Sequence, residues 1–156
     1  LVIVDKELAQ RVPPTVPAML RYTTHIDKQS LYNTPPTFGV YLLCLTTRWL
    51  KAKGGVKAMQ EQNERKAAKL YQVIDGSDFY TGTAVPDFRS TMNVTFRLPS
   101  EELEKTFVSE AEKRDMSGLK GHRSVGGIRA SIYNAFPEEG VDALSAFMKE
   151  FEQTRG

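Results

Sequence analysis

The chain has 156 residues, 40% hydrophobic and 26% charged, the make-up of an ordinary globular domain, or of one domain and part of another. Its 21 Lys and Arg against 19 Asp and Glu leave a formal charge of +2, too small an excess to point to nucleic acid or an anionic membrane as partner. A single cysteine, Cys44, excludes an internal disulfide and a cysteine-built metal cluster and suits a reducing compartment. No apolar run approaches the ~20 residues that span a bilayer, and the first residues lack the apolar core of a signal peptide.

The opening LVIV, bounded by Asp5 and Lys6, reads as a strand buried on both faces. Such a strand needs neighbours, so the chain is expected to begin in the middle of a larger fold. Lys6–Arg11 reads as a turn of helix stopped by Pro13, Pro14 and Pro17, and residues 12–32 as irregular. Pro35 and Pro36 force Thr34 into an extended conformation. A helix follows from about Thr37 to Ala52, closed by Gly54 and Gly55. It is apolar nearly all round (Phe38, Tyr41, Leu42, Leu45, Trp49), which predicts an interior or interface position, with Cys44 as an inert core thiol. A second helix, Val56 to about Ile74, sets Val56, Met59, Ala67, Leu70, Tyr71 and Ile74 on one stripe and turns EQNERK to water.

The turn-rich DGSDFYTGTAVPDFRS then marks a boundary. Beyond it Met92, Val94, Phe96 and Leu98 alternate with Asn93, Thr95 and Arg97, the period of a half-buried strand. Ser100 reads as the N-cap of a helix burying Leu103, Phe107, Val108 and Ala111. A strand is expected near Ile128–Tyr133. A last helix is expected with Pro137 in its first position, burying Val141, Leu144, Phe147, Met148 and Phe151. The fold class is α/β: a partial α/β lobe over 1–54, a connecting helix and boundary loop over 55–89, and a small α+β lobe over 90–156.

Chemistry is sparse and local. In IRASIY, Ile128, Ala130 and Ile132 share one strand face, which puts Arg129, Ser131 and Tyr133 on the other. Arg129 therefore projects from a rigid strand, where a planar guanidinium can grip a carboxylate with two parallel bonds. Six residues earlier His122 and Arg123 sit in a loop whose glycines allow an anion to approach the backbone. The competing reading is a solvated turn with surface charge. Asn33 and Thr34 suit either a phosphate or simple turn capping. His25 has no partners at metal-ligand spacing and reads as a loop histidine. No nucleotide-binding glycine motif is present, and carboxylates mostly on helix faces give little support to paired acid/base catalysis.

Two motifs, NTPPTF (33–38) and GLKGHRSVGGIRASIYNAFP (118–137), resemble those of the phosphoserine aminotransferases. These are pyridoxal-phosphate enzymes of fold type I within the class V aminotransferases. The resemblance runs over essentially the whole chain and covers only the C-terminal portion of such an enzyme. It implies the end of the large-domain sheet plus a small C-terminal α+β domain, a cytoplasmic homodimer with shared active sites, and an upstream segment carrying the lysine that binds the cofactor. No catalytic residue is then expected among these 156. It further implies that Asn33 and Thr34 contact the phosphate of pyridoxal 5'-phosphate in the neighbouring subunit. Arg129 would hold the α-carboxylate of the amino-acid substrate, and His122 with Arg123 the phosphate of phosphoserine. The implied reaction moves an amino group between L-glutamate and 3-phosphohydroxypyruvate, giving O-phospho-L-serine and 2-oxoglutarate in serine biosynthesis, with a further role in pyridoxal-phosphate synthesis open. The alternative from another class is a free-standing small-anion-binding or regulatory α+β module built on 90–156.

Overall fold

The structure is a computed structural model describing residues 1–156, and it divides into two compact units, Leu1–Trp49 and Leu50–Gly156. In the first, α1 (Lys6–Gln10) is capped by Asp5, whose Oδ1 accepts from the Leu8 N–H at 2.8 Å. Residues 12–32 are more ordered than expected. They hold a 3-10 turn at Ala18–Leu20 and a short helix, α2 (Tyr22–Asp27), which carries His25. Pro17, with φ −52°, ends one segment and starts the next turn, because its fixed φ suits a helix start.

The LVIV segment forms no strand. Leu1 and Ile3 are exposed and nothing in the chain pairs with them. Extended backbone becomes a strand only when a neighbour takes up its N–H and C=O groups. Helix α3 (Thr37–Ala52) has the predicted bounds, but none of its side chains is buried, and Cys44 is exposed rather than in a core. The interior position predicted for this helix is not realised within these 156 residues.

The second unit is built on a three-stranded antiparallel sheet in the order β1 (Thr81–Gly82), β2 (Asn93–Arg97), β3 (Ile128–Ser131). The alternation read from the sequence holds. Val94, Phe96, Ile128 and Ala130 are buried, while Asn93, Thr95, Arg97, Arg129 and Ser131 form the opposite, polar face. The buried face packs under α4 (Gly55–Asp75), α5 (Glu101–Glu112) and α6 (Glu138–Arg155). Phe107 of α5 is fully buried at the centre of the core, with its ring 4.8–6.4 Å from those of Tyr80, Phe96, Phe147 and Phe151. Burying one such side chain contributes ~1.5–3 kcal/mol, so this aromatic cluster is the main anchor of the sheet. Ser100 caps α5 as expected, its Oγ accepting from the Leu103 N–H at 3.2 Å. Pro137 is the extended cap before α6 rather than its first residue.

Helix α4 departs from its predicted stripe. Val56 is exposed, whereas Asn63 and Lys66, read as part of a water-facing run, are buried. The Lys66 ammonium donates to Ile132 O, Tyr133 O and Phe136 O at 3.0, 2.8 and 3.1 Å, and Asn63 Nδ2 donates to Asn134 Oδ1 at 2.7 Å. These groups take over the backbone of 132–136, so β3 ends at Ser131, short of Tyr133. Burial pushes the Lys66 amine below its ordinary range, with the Glu138 carboxylate pulling the other way.

Candidate anion-binding site

The segment 119–128 folds back on itself. Lys120 bridges Ile128, the Arg129 N–H donates to Leu119 O at 2.8 Å, and the Gly121 N–H donates to Gly127 O at 2.8 Å. At this root the two backbones touch. A Cβ on Gly121 would lie 2.0 Å from Gly126 O, so no other residue fits. The turn is tight, because His122 O accepts from both Val125 N–H and Gly126 N–H, at 2.9 and 2.8 Å. Gly126 and Gly127 then run at φ +75° and +74°, the left-handed region, before β3 begins.

His122 and Arg123 are therefore displayed at the tip of a closed loop, both exposed. Ser124 orients the imidazole: its N–H donates to His122 Nδ1 at 3.3 Å, and its Oγ lies 2.7 Å from the same nitrogen. The other ring nitrogen, Nε2, has no partner within the chain and is open to an anion. Arg129 stands on the polar face of β3, opposite Thr95 in β2, and its Nε is buried with no acceptor. Within Leu50–Gly156, Arg65, Arg89, Arg97, Arg114 and Arg155 each pair with a carboxylate. Arg123 and Arg129 do not. An orphaned guanidinium N–H below the surface lacks the acceptor that burial ordinarily requires, and a bound carboxylate would supply it.

A cleft of about 720 Å³ lies between the loop and α5. Arg97, Lys120, His122 and Arg123 line it on one side, and Glu101, Glu104, Lys105 and Glu112 of α5 on the other. Arg129 lies outside the cleft, on the sheet. The structure thus joins His122 and Arg123 on one loop and sets Arg129 on the strand that this loop leads into. Asn33 and Thr34 belong to the other unit. Both are exposed just before α3; Asn33 Nδ2 donates to Thr34 O at 3.2 Å, and the Thr34 hydroxyl has no partner within the chain. Helix α3 carries no acidic residue in its first turn. Two residues that the sequence did not single out belong to the loop's support. Arg97 donates to Glu104 and to Val125 O, and Glu104 also accepts from the Gly127 N–H. Their joint hold on a loop more than twenty residues downstream has no local signature.

A family model described as aminotransferase class-V matches residues 1–144. The chain belongs to the class-V aminotransferase family. Among curated relatives, the phosphoserine aminotransferase of Desulfosudis oleivorans is 57% identical over 157 aligned positions, which take in 100% of this chain and 44% of the relative. A solved phosphoserine aminotransferase from Bacillus circulans subsp. alkalophilus superposes with a TM-score of 0.90 at 50% identity, over 96% of this chain and 42% of that one. A phosphoserine aminotransferase from Trichomonas vaginalis, solved with PLP bound, gives 0.80 at 40% identity over 88% of this chain and 40% of that one. The chain therefore spans less than half the length of the class-V aminotransferases that it matches. A likeness of this extent does not favour the free-standing module. It supports the α/β reading, in which the sheet present is the antiparallel one of the second unit.

Proposed function

We propose that the chain is the substrate-gripping portion of a phosphoserine aminotransferase. The full-length enzyme exchanges an amino group between L-glutamate and 3-phosphohydroxypyruvate, yielding O-phospho-L-serine and 2-oxoglutarate for serine synthesis. The observation that carries this reading is the pair of arginines without carboxylate partners, Arg123 at a loop tip and Arg129 on a strand, the latter with a buried Nε lacking an acceptor. Arg129 holds the α-carboxylate that every amino-acid substrate presents, and its strand fixes the direction of the guanidinium. His122 and Arg123 hold the distal anion, a phosphate in one substrate and a carboxylate in the other. Two anchors on one substrate fix the orientation of the reacting carbon, which is the share of catalysis that positioning supplies.

Pyridoxal 5'-phosphate, when bound, supplies the electron sink that makes the α-carbon acidic. The donors at Asn33 and Thr34 fit its phosphate: a free threonine hydroxyl and an amide on a proline-stiffened backbone, beside the start of a 16-residue helix without acidic residues in its first turn. In the proposed cytoplasmic homodimer these two residues serve the neighbouring subunit's cofactor. Lys66, although desolvated, is not the cofactor lysine, because its ammonium is committed to three carbonyls. That lysine belongs to the portion of the full-length enzyme outside these residues, and the 156 residues alone are inactive. Residues 1–54 belong to the large domain of that enzyme and 90–156 form its small domain, with 55–89 between them.

The test is single-turnover kinetics of each half-reaction in the full-length enzyme. Arg129→Ala should lower kcat/KM for both L-glutamate and O-phospho-L-serine by about 100-fold, the loss of ~3 kcal/mol of charge-assisted bonding. Arg123→Ala should penalise O-phospho-L-serine more. Equal losses for the two substrates in the Arg123 variant would refute the phosphate assignment.

A further inference from the structure

We infer that Arg97 and Glu104 are positioning residues for the anion loop, setting where His122 and Arg123 stand; this rests on the substrate reading above. Arg97 closes β2, and both terminal nitrogens of its guanidinium are engaged. Nη1 donates to the two Glu104 carboxylate oxygens at 3.3 and 3.2 Å, and Nη2 donates to Val125 O at 2.5 Å. Glu104, only 8% exposed, returns to the same loop and accepts from the Gly127 N–H at 3.2 Å. One strand residue and one helix residue thus hold both sides of Gly126.

The glycine pair is shaped around this arginine. A Cβ on Gly126 would come 3.1 Å from Arg97 Nη1, and one on Gly127 3.0 Å from Arg97 Cδ. The hold passes to the tip through backbone alone, since Val125 and Gly126 donate their N–H groups to His122 O. A displacement at Val125 therefore moves the residue that begins the His122–Arg123 pair. The charges separate the roles as well. Arg97 is neutralised by Glu104 and so does not compete for the substrate anion, whereas Arg123 has no carboxylate of its own. Arg129 is held separately, by its place in β3 opposite Thr95, and does not depend on this clamp.

The experiment uses the full-length enzyme with Arg97→Lys, which keeps the charge but cannot span Glu104 and Val125 O together. Glu104→Gln, which keeps an acceptor for Gly127, is the milder second variant, and thermal midpoints are recorded for both. The inference expects the KM for O-phospho-L-serine to rise about tenfold in Arg97→Lys, with kcat and the KM for L-glutamate changing less than about threefold. Combined with Arg123→Ala it should cost less than the product of the two single effects, because only His122 is then left to position. Equal losses for both substrates, or independent multiplication of the two effects, would overturn it. A wild-type enzyme that ignores O-phospho-L-serine overturns the proposed function instead. In that case inhibition by inorganic phosphate decides: weakened about tenfold by Arg97→Lys it supports the positioning role, and unchanged it refutes it.

Discussion

Replacing Lys66 by methionine isolates the most unusual contact in the second unit, because methionine keeps the stem and deletes the ammonium. Lys66 is 0% exposed and binds Ile132 O, Tyr133 O and Phe136 O at 2.8–3.1 Å. Losing a partner costs ~1–3 kcal/mol per buried acceptor. The Tyr133 and Phe136 carbonyls are only partly buried and can recruit water, so the lower figure applies to them and the loss sums to about 3–5 kcal/mol. Relief of the ammonium's own desolvation, the cause of its lowered pKa, offsets about 1–2 kcal/mol of that. The net expectation is a destabilisation of about 1–4 kcal/mol, centred on ~2.5 kcal/mol. At 4–8 °C per kcal/mol for a domain near 100 residues, the thermal midpoint should fall about 10–20 °C. Urea unfolding followed by circular dichroism measures it, as a lowered midpoint at unchanged slope. The opposing possibility is real, since buried charges exchanged for apolar groups of similar volume are often neutral or stabilising. A Lys66→Met variant within ~0.5 kcal/mol of wild type would show that possibility to hold here and refute the accounting.

Gly121→Ala puts a Cβ 2.0 Å from Gly126 O, which forces the loop root apart. In the full-length enzyme kcat/KM for O-phospho-L-serine should drop about 100-fold, while the thermal midpoint, set by the aromatic core, falls by less than ~5 °C; a larger thermal loss with the activity intact would contradict this. Another outcome concerns acid stability. Hydrogen bonding to Arg89, Lys69 and Arg114 holds the Asp75, Glu138 and Glu150 carboxyls below their ordinary values of 3.8, 4.5 and 4.5. The folded state thus releases these protons more readily than the unfolded chain does. Their stabilisation is complete above about pH 5 and is lost as the pH falls through and below 4. Thermal midpoints taken from pH 7 to 3 should decline on that limb, and less so in 0.5 M salt, because each pair is at least partly open to solvent. A flat profile down to pH 3 would show that the pairs contribute nothing.

How much of this was legible in the sequence depended on whether the signal was local. The alternation of 92–98, the Ser100 cap and the apolar stripe of 141–151 are read within one element, and the structure reproduces them. LVIV forms no strand within these residues because the neighbours that its apolar composition calls for are not among them. Asn63 and Lys66 depart from the water-facing expectation for EQNERK because helical periodicity ranks residues by polarity. It cannot see that three carbonyls at 132–136 wait for an ammonium some seventy residues away.

The arginines carry this reasoning to the site itself. The seven in Leu50–Gly156 differ little in sequence, and nothing local foretells which will be neutralised. Arg97 finds its carboxylate 7 residues away, Arg89 at 14, Arg114 at 36 and Arg155 at 45. Those separations are set by the fold, not by spacing along the chain. Arg123 and Arg129 could be singled out only from their setting, a glycine-loosened loop and the polar face of an alternating strand. The structure adds what the pattern could not, that within Leu50–Gly156 these are the two left without a carboxylate. A guanidinium already neutralised by a carboxylate gains little from a ligand and must break a bond to meet it. One left with a buried, unsatisfied Nε–H gains the missing acceptor when an anion arrives, so the cost of leaving it unpaired is recovered on binding.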